Sequence, residues 1–257
     1  MKSFEHISHS LRGKNIFLSM VDISNIKASH EMKNDFNFSS LLSEWEKSYI
    51  EKLKFKKRKF DFISGRLAGK KAVKDYLYSY PNLTNRKLRS HEIDIRKLEY
   101  GDPAVFINNY MEELLVSISH SGKYAVSIVS GERDYRGIGI DIEKIEKREE
   151  SFLKLAFSND EIIKLKSSYT EDRNKSQKTI DENITRFWSI KESIFKSLCL
   201  GLNMDLKEIK VIDSETGKTI IQMKGDLKKR FEQLSINKAD IESFIFDGYV
   251  ISVTRLN

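Results

Sequence analysis

Carboxylates at strand spacing are the first residues in this chain that could do chemistry. In the segment GIGIDIE at residues 137–143, isoleucines alternate with Gly139, Asp141 and Glu143. This alternation predicts a β-strand, in which side chains two positions apart share a face, so Asp141 and Glu143 project together. Neighbouring carboxylates repel unless a positive charge lies between them, and Mg²⁺ accepts such oxygens together with substrate phosphates. The segment is therefore either a metal site or a strand with one solvated acidic face.

Residues 187–196, FWSIKESIFK, put a further acid, Glu192, and Lys196 at helix spacing. Their apolar periodicity predicts a helix over about residues 181–200, with Lys191 inside the apolar stripe. A buried lysine is costly unless its ammonium is paired or reaches solvent, whereas Glu192 and Lys196 could equally form an ordinary surface pair. Together with the first segment, three carboxylates and two lysines suit a site that holds Mg²⁺ against a pyrophosphate.

These two segments together resemble the signature of the 4′-phosphopantetheinyl transferases. That signature reads G-[IV]-D and then, after a gap, [FW]-[SCT]-x-K-E-[AS]-x-x-K. Residues 139–141 and 188–196 fill every position at the expected spacing, and the glutamate at position 143 also fits. Two separated blocks that match together are far more specific than either block alone.

Segments nearer the N-terminus resemble the longer, Sfp-type branch of that family. Residues 117–122, SISHSG, are similar to its serine- and histidine-rich turn, and residues 57–68 are similar to its basic helix with a GRLA core. In the turn YGDP at residues 100–103, Asp102 stands where the family usually has a lysine that helps hold the nucleotide. The resemblance covers about residues 40–200, and the role of that lysine stays open here.

The resemblance implies a reaction and a fold. Coenzyme A and Mg²⁺ or Mn²⁺ bind in a cleft, and a serine hydroxyl of an acyl or peptidyl carrier protein attacks the β-phosphate. The 4′-phosphopantetheine arm moves to the serine, and 3′,5′-ADP leaves. Positioning and stabilisation of negative charge dominate such transfers, and the serine needs a base within hydrogen-bond reach. The implied fold is α+β, with two similar α/β subdomains related by a pseudo-twofold axis and the ligand cleft between them.

The resemblance also assigns a role to each charged residue of the two segments. It implies a metal set of Asp141, Glu143 and Glu192, with Glu192 also acting as the base for the carrier serine or positioning it. It implies that Lys191 and Lys196 neutralise phosphate charge and assist departure of the nucleotide. Glu192 and the two lysines therefore form the expected catalytic set.

At the nucleotide end, the resemblance points to residues upstream of the signature. Ser119 and His120 are expected to meet the 3′-phosphate and the adenine end. Arg58 and Arg66 are the expected cationic partners of the 3′-phosphate, with Lys196 completing the coenzyme-binding set. Arginine offers planar, bidentate phosphate contacts, while lysine acts as a point charge. Judged without the resemblance, a histidine in a turn is more often solvated or locally hydrogen-bonded.

The chain is long enough to bury a core and to form one large domain or two of ordinary size, at 257 residues. We expect an N-terminal subdomain over residues 1–131 on the nucleotide side, and a C-terminal subdomain over residues 132–257 that carries the metal and catalytic signature. An echo between YAVSIV at residues 124–129 and YVISV at residues 249–253, each after a glycine turn, favours two similar halves.

Local signals predict further elements of the second half. Ser158 and Glu161 have capping-box spacing, which predicts the start of a short helix. Gly201 is expected to stop the long helix. Residues 219–223 alternate as a strand does, and Asp-Gly at residues 247–248 predicts a hairpin turn.

Composition narrows the class of protein without naming it. The formal net charge of +7 favours acidic partners, which fits coenzyme A and an acidic carrier protein but would also fit RNA. One alternative is therefore a basic nucleic-acid-binding protein that uses residues 52–59, and another is a family member that binds coenzyme A without transfer. The single cysteine excludes an internal disulfide framework.

Several functional classes lack their sequence signals. The chain contains no Walker A loop, no complete dinucleotide-binding glycine pattern, no Cys-x-x-Cys and no His-Glu-x-x-His. We find no apolar run long enough for a signal peptide or a membrane span. We therefore expect a cytoplasmic monomer that works without nucleic acid or membrane.

Overall fold

The computed structural model describes residues 3–31, 38–80, 82–84, 86–98, 102–167, 177–199, 205–213 and 219–257. Its helices are α1 Phe4–Arg12, α2 Ile23–Glu31, α3 Glu44–Lys52, α4 Lys56–Ser79, α5 Glu150–Ala156, α6 Asn159–Ser167, α7 Gln177–Ser197 and α8 Gly225–Gln233. Its strands are β1 Phe17–Asp22, β2 Ile93–Lys97, β3 Pro103–Ile107, β4 Tyr110–Ser121, β5 Tyr124–Gly131, β6 Gly137–Lys144, β7 Ile209–Asp213, β8 Thr219–Met223, β9 Ala239–Phe246 and β10 Tyr249–Leu256. None of these helices combines the length and apolar character needed to cross a bilayer.

The first half of the chain folds into a five-stranded antiparallel sheet in the order β1-β5-β4-β3-β2. Helix α4 packs along this sheet, and β5 is buried over its whole length. The helix turns small residues toward the sheet, and a Cβ at Gly69 would collide with the side chain of Ile95. Glycine at this position therefore lets the helix lie close to the strands.

The second half contains a three-stranded sheet in the order β6-β10-β9 and a separate pair, β7 with β8. Helix α7 packs across β6 and β10 through the predicted apolar stripe, whose buried members are Ile184, Phe187, Ile194, Phe195 and Leu198. At the crossing, a Cβ on Gly139 would overlap the backbone carbonyl oxygen of Ser193. Only glycine lets α7 approach the strand that carries Asp141 and Glu143.

The two halves repeat one order of elements, which confirms the expected α+β class with two similar α/β subdomains. A strand, two short helices and one long helix are followed by four strands in each half. The series β1, α2, α3, α4 and β2 to β5 corresponds to β6, α5, α6, α7 and β7 to β10, with α8 inserted in the second series. The division between residues 131 and 132 stays a prediction.

A buried ion pair recurs at the same place in both halves. Glu46 pairs with Lys70 of α4 at 2.5 Å, and Glu161 pairs with Lys191 of α7 at 2.9 Å. Each glutamate also closes a capping box with the serine three residues before it. Each lysine donates to the backbone carbonyl two residues before that serine, at 2.9 Å in both cases. The repeat therefore extends from the order of elements to individual side chains.

The halves meet where β4 lies beside β6. Three serines at alternate positions of β4 accept hydrogen bonds from N–H groups at alternate positions of β6. The pairs are Ser117 with Ile140 (3.1 Å), Ser119 with Ile142 (3.3 Å) and Ser121 with Lys144 (3.3 Å). Because β6 lies at the edge of its own sheet, these N–H groups would otherwise lack strand partners. The serine ladder thus sets the register between the two halves.

Most local predictions for the second half are confirmed. The strand over residues 219–223, the hairpin turn at 247–248 and the capping box of α6 are present as expected. Helix α7 begins at Gln177 rather than near Asp181 and ends at Ser197. Cys199, with φ of 54°, adopts the left-handed conformation after the helix. Gly201, the expected stop residue, lies outside the described residues.

Candidate active site

A cavity of about 790 Å³ lies between the halves. Its walls come from α3, α4, the strands β2 to β4 and the end of α7. Cationic side chains dominate its charged lining, and these are Lys57, Arg58, Arg66, Lys97 and Lys196. Asp61 and Asp102 are the acidic residues of the lining. The cavity therefore offers a predominantly positive environment to an anionic ligand.

Asp141 lies at the centre of a hydrogen-bonded group that joins the two sequence segments. Its Oδ1 accepts from Ser119 Oγ at 2.8 Å and from Lys196 Nζ at 2.7 Å. Lys196 Nζ also donates to Ser119 Oγ at 2.9 Å. Asp141 is 2% exposed, and its Oδ2 is buried without a hydrogen-bond partner among the described residues. A buried carboxylate oxygen in this state is suited to receive a cation or a donor.

Glu143 faces the same region but has a different set of partners. Its Oε1 accepts from Trp188 Nε1 at 3.2 Å, and its Oε2 accepts from Arg148 at 2.8 Å. Burial raises the pKa of Glu143, and the neighbouring charge of Asp141 raises it further. The Trp188 and Arg148 donors act in the opposite direction, because they stabilise the ionised form.

Glu192 has the most perturbed carboxyl group of the site. Burial raises the pKa of Glu192 to about 7, and the charges of Asp141 and Glu143 add to the shift, while Lys196 opposes it. A carboxyl with a pKa near neutrality can gain or lose a proton under ordinary conditions, which is the property required of a general base.

The expectation that three carboxylates converge on one ion is corrected by the structure. Within the described ranges, no group of three or more His, Cys, Asp or Glu side chains is arranged to hold a metal ion. Glu143 is instead paired with Arg148, and Asp141 with Lys196. Because Mg²⁺ often takes only one or two protein carboxylates, Asp141 and Glu192 still fit it, and the unpartnered Oδ2 of Asp141 is the observation in favour.

The structure places Lys191 in the core and not among the residues that line the cavity, which speaks against its expected role in phosphate neutralisation. Its side chain is fully buried, and its Nζ pairs with Glu161 and donates to the carbonyls of Ala156 and Leu206 at 2.9 and 3.3 Å. Successive residues of a helix lie about 100° apart, so Lys191 points into the core while Glu192 faces the strand carboxylates.

At the nucleotide end, the structure separates Ser119 from His120. His120 lines the cavity, but the Ser119 hydroxyl turns to β6 and supports Asp141. Adjacent strand residues point to opposite faces, so these two side chains could not both meet one ligand group. Desolvation by the cavity wall lowers the pKa of His120, and the charges of Lys196 and Lys57 add to the effect.

Both expected arginines line the cavity. Arg58 is exposed and lies over the ring of Phe55 at 5.8 Å from its centroid, and Arg66 lies over Phe62 at 4.3 Å. The Nε of Arg66 is buried without a partner among the described residues. Burial lowers the pKa of Arg66, and the charge of Glu46 opposes that shift. Stacking on aromatic rings holds both guanidinium groups at the cavity.

Three residues of the site have no role in the sequence-based predictions. Lys97 reaches the cavity from β2, and Arg148 reaches Glu143 from the segment after β6. Burial raises the pKa of Asp102, and Arg230 of α8 is close enough to oppose that rise. Each has another charged residue beside it in the sequence, so only the tertiary contacts distinguish these cations from solvated ones.

Comparisons with known proteins agree with these features. The model of the 4′-phosphopantetheinyl transferase superfamily matches residues 137–254. The chain is 26% identical to the 4′-phosphopantetheinyl transferase gsp of Aneurinibacillus migulanus over 92% of this chain and 86% of that protein. It is 35% identical to a holo-[acyl-carrier-protein] synthase of Geobacillus sp. over 40% of this chain and 82% of that protein.

Solved structures include similar proteins at lower identity. A Helicobacter pylori holo-[acyl-carrier-protein] synthase in complex with coenzyme A is 21% identical, with a TM-score of 0.36 over 47% of this chain and 99% of that chain. The Plasmodium yoelii acyl carrier protein synthase with ADP bound is also 21% identical, with a TM-score of 0.40 over 48% of this chain and 93% of that chain.

Proposed function

Because this chain belongs to the 4′-phosphopantetheinyl transferase superfamily, we propose that it transfers the 4′-phosphopantetheine arm of coenzyme A to a serine of an acyl or peptidyl carrier protein. The observation that carries this proposal is the contact of Lys196 with Asp141 at the edge of a cationic cavity. In that contact, the two separated blocks of the family signature come together. The other product of the reaction is 3′,5′-ADP.

Coenzyme A binds in the cavity between the halves. Its phosphates face a lining in which cations outnumber acids, and Arg58 and Arg66 take the 3′-phosphate in bidentate contacts. His120 lies toward the adenine end, where desolvation lowers its pKa and so favours a neutral ring. Lys97 contributes a further positive charge from β2. Ser119 acts on the coenzyme only through Asp141 and Lys196.

A divalent cation, Mg²⁺ or Mn²⁺, is the expected cofactor. Asp141 and Glu192 would hold it. Asp141 has a buried oxygen without a hydrogen-bond partner among the described residues. Burial and the charge of Asp141 raise the pKa of Glu192, and a bound cation would offset both effects. When bound, the ion supplies charge neutralisation for the two phosphates of the coenzyme and polarises the attacked phosphorus. Lys196 also neutralises phosphate charge, because its ammonium is held next to Asp141.

The chemical step exchanges the phosphoanhydride bond of coenzyme A for a phosphate ester bond to the carrier serine. The carrier serine oxygen forms a bond to the β-phosphorus, and the bond from that phosphorus to the oxygen of 3′,5′-ADP breaks. Glu192 accepts the serine proton as the general base. Lys196 stabilises the charge that develops on the departing nucleotide. Asp141 and Ser119 orient the lysine for this purpose.

The carrier protein is the proposed macromolecular partner, and the cytoplasm the proposed compartment. We propose that the chain acts as a monomer, without nucleic acid or membrane. The net charge of +7 suits an acidic carrier.

Mass spectrometry of an apo carrier protein tests the proposal. The carrier is incubated with this protein, coenzyme A and Mg²⁺, and a gain of one phosphopantetheine on its serine is expected. The same mixture with a chelator in excess of the metal is the control and should show little product. No gain with several carriers contradicts the proposal. Coenzyme A binding without product would identify a family member that has lost transfer, and binding of RNA instead of coenzyme A would favour the nucleic-acid alternative.

A further inference from the structure

Arg148 lies against one side of the acidic group and belongs to neither block of the family signature. Its guanidinium donates to Glu143 Oε2 at 2.8 Å and approaches Glu146 at 3.5 Å. The Arg148 and Glu143 side chains are 19% and 22% exposed, so the pair is largely shielded from solvent. An ion pair in this setting is screened less than one on the surface.

Aromatic residues hold Arg148 in place from the other side. The guanidinium lies over the ring of Phe152 at 5.2 Å, and that ring meets Trp188 edge to face at 4.9 Å. Trp188 in turn donates its indole N–H to Glu143. Arg148, Phe152 and Trp188 therefore form a closed set of contacts around one carboxylate, which we call the Glu143 cage.

The Glu143 cage makes the two strand carboxylates unequal. Both oxygens of Glu143 already accept hydrogen bonds, one of them from a guanidinium, whereas Asp141 keeps one buried oxygen without a partner among the described residues. A cation that approached Glu143 would have to displace the guanidinium or share the carboxylate with it. It would also meet the repulsion of a fixed positive charge a few ångströms away.

We propose that Arg148 is an internal cation that competes with Mg²⁺ for Glu143 and thereby sets how tightly the metal binds at Asp141 and Glu192. This inference rests on the proposed function. Arg148 acts through Glu143 and is a positioning residue. The metal remains exchangeable because part of the negative charge around it is already compensated by the protein.

Metal binding measured without turnover tests this inference. The free Mn²⁺ signal in electron paramagnetic resonance is titrated with wild-type protein, with Arg148→Gln and with Lys147→Gln. Lys147 is the exposed neighbour, so its variant removes the same charge outside the Glu143 cage. We expect Arg148→Gln to bind Mn²⁺ about tenfold more tightly, since a nearby charge in a partly shielded site is worth at least that much. Lys147→Gln should stay within about twofold of wild type.

A double variant assigns the effect to Glu143. If Arg148 works by competing for that carboxylate, adding Arg148→Gln to Glu143→Gln should change Mn²⁺ affinity by no more than about twofold. Arg148→Lys keeps the charge and should resemble wild type. Arg148→Met offers an apolar side chain to the Phe152 ring in place of the guanidinium, and it replaces the glutamine variant if that variant fails to fold.

Other outcomes would overturn the inference. Unchanged Mn²⁺ affinity in both neutral Arg148 variants would make the pair purely structural. Weaker binding would mean that Arg148 orients Glu143 as a metal ligand. Absence of Mn²⁺ binding in wild type would remove the competition altogether. Failure of the proposed function has a separate signature, because the carrier protein would then gain no mass from the wild-type protein.

Discussion

Lys196 Nζ lies 2.7 Å from Asp141 Oδ1, and this ion pair joins side chains that are 55 positions apart in the chain. The lysine comes from the last turn of α7 and the aspartate from the middle of β6. Their contact depends on the close packing of helix on strand that Gly139 permits. The chemistry of the site therefore depends on one helix–strand crossing.

Replacing Asp141 by asparagine should abolish transfer with little effect on the fold. The amide keeps the size and can still accept from Ser119, but it loses the charge that holds Lys196 and the metal. We expect a fall in rate of about a hundredfold or more, measured as the carrier mass gain. Asp160→Asn is the matched control, because that carboxylate is 76% exposed in its pair with Lys210. Retention of full activity by Asp141→Asn would remove the metal argument.

The raised pKa of Glu192 predicts a pH-dependent stability of the metal-free protein. The pKa is about 7 in the folded chain against 4.5 for an ordinary glutamate, so the native state binds the extra proton between these values. The contribution of Glu192 to stability is therefore complete at low pH and is lost as the pH rises through about 7. Glu192→Gln should be more stable than wild type at pH 8 and similar near pH 4.5, as measured by urea unfolding.

The same substitution should remove activity. Glu192→Gln should lose about a hundredfold or more in rate, because the amide can neither accept the serine proton nor offer a charged oxygen to the metal. An unchanged rate in the variant would demote Glu192 to a bystander. Equal stability of wild type and variant at pH 8 would contradict the pKa shift instead.

Lys191 should prove structural, despite its position in the family signature. Lys191→Met leaves Glu161 buried without its cation, which should cost about 3–5 kcal/mol in the free energy of unfolding. The double variant Lys191→Met/Glu161→Gln removes both charges and should recover much of that loss. Transfer per folded molecule, measured by carrier mass gain, should recover with it. A stable double variant without activity would return Lys191 to the catalytic set.

We predict that the Asp102 carboxylate of the wild-type protein weakens the binding of coenzyme A. Its carboxyl lines the same cavity as the proposed phosphate-binding cations, and Arg230 and Lys97 lie near enough to influence its pKa. Asp102→Asn should therefore bind coenzyme A about five- to tenfold more tightly in calorimetry, with Asp226→Asn on the exposed face of α8 as the control. Weaker binding would mean that Asp102 itself contacts the coenzyme, for example through a hydrogen bond to the adenine.

Gly139→Ala should disrupt the packing of α7 on β6, and the site that depends on it. The added methyl group would overlap the Ser193 carbonyl on α7, so helix and strand must move apart. We expect a loss of about 3 kcal/mol or more in urea unfolding, with transfer lost as well. Gly13→Ala is a suitable control, since a Cβ there meets only ordinary contacts at 3.7 Å. Wild-type stability of Gly139→Ala would contradict the close crossing.

The sequence alone determined several elements of the second half and the faces on which their side chains lie. The alternation around Asp141, the stripe of α7, the capping box before Ile162 and the turn at 247–248 are local patterns, and local backbone and burial preferences decide them. Spacing also put Asp141 and Glu143 on one strand face and Glu192 with Lys196 on one helix edge. For that reason, most of the candidate site could be named before any fold was known.

The ion-pair and hydrogen-bond partners of these side chains depend on the tertiary structure. Lys191 pairs with Glu161 in the core, Arg148 takes Glu143, and the Ser119 hydroxyl supports Asp141 instead of facing the cavity. Each of these choices depends on which residues of distant segments approach one another when α7 crosses β6 and β4 aligns with β6. Periodicity predicts the direction of a side chain on its own element. It does not predict which charged residue of a distant segment that side chain will contact.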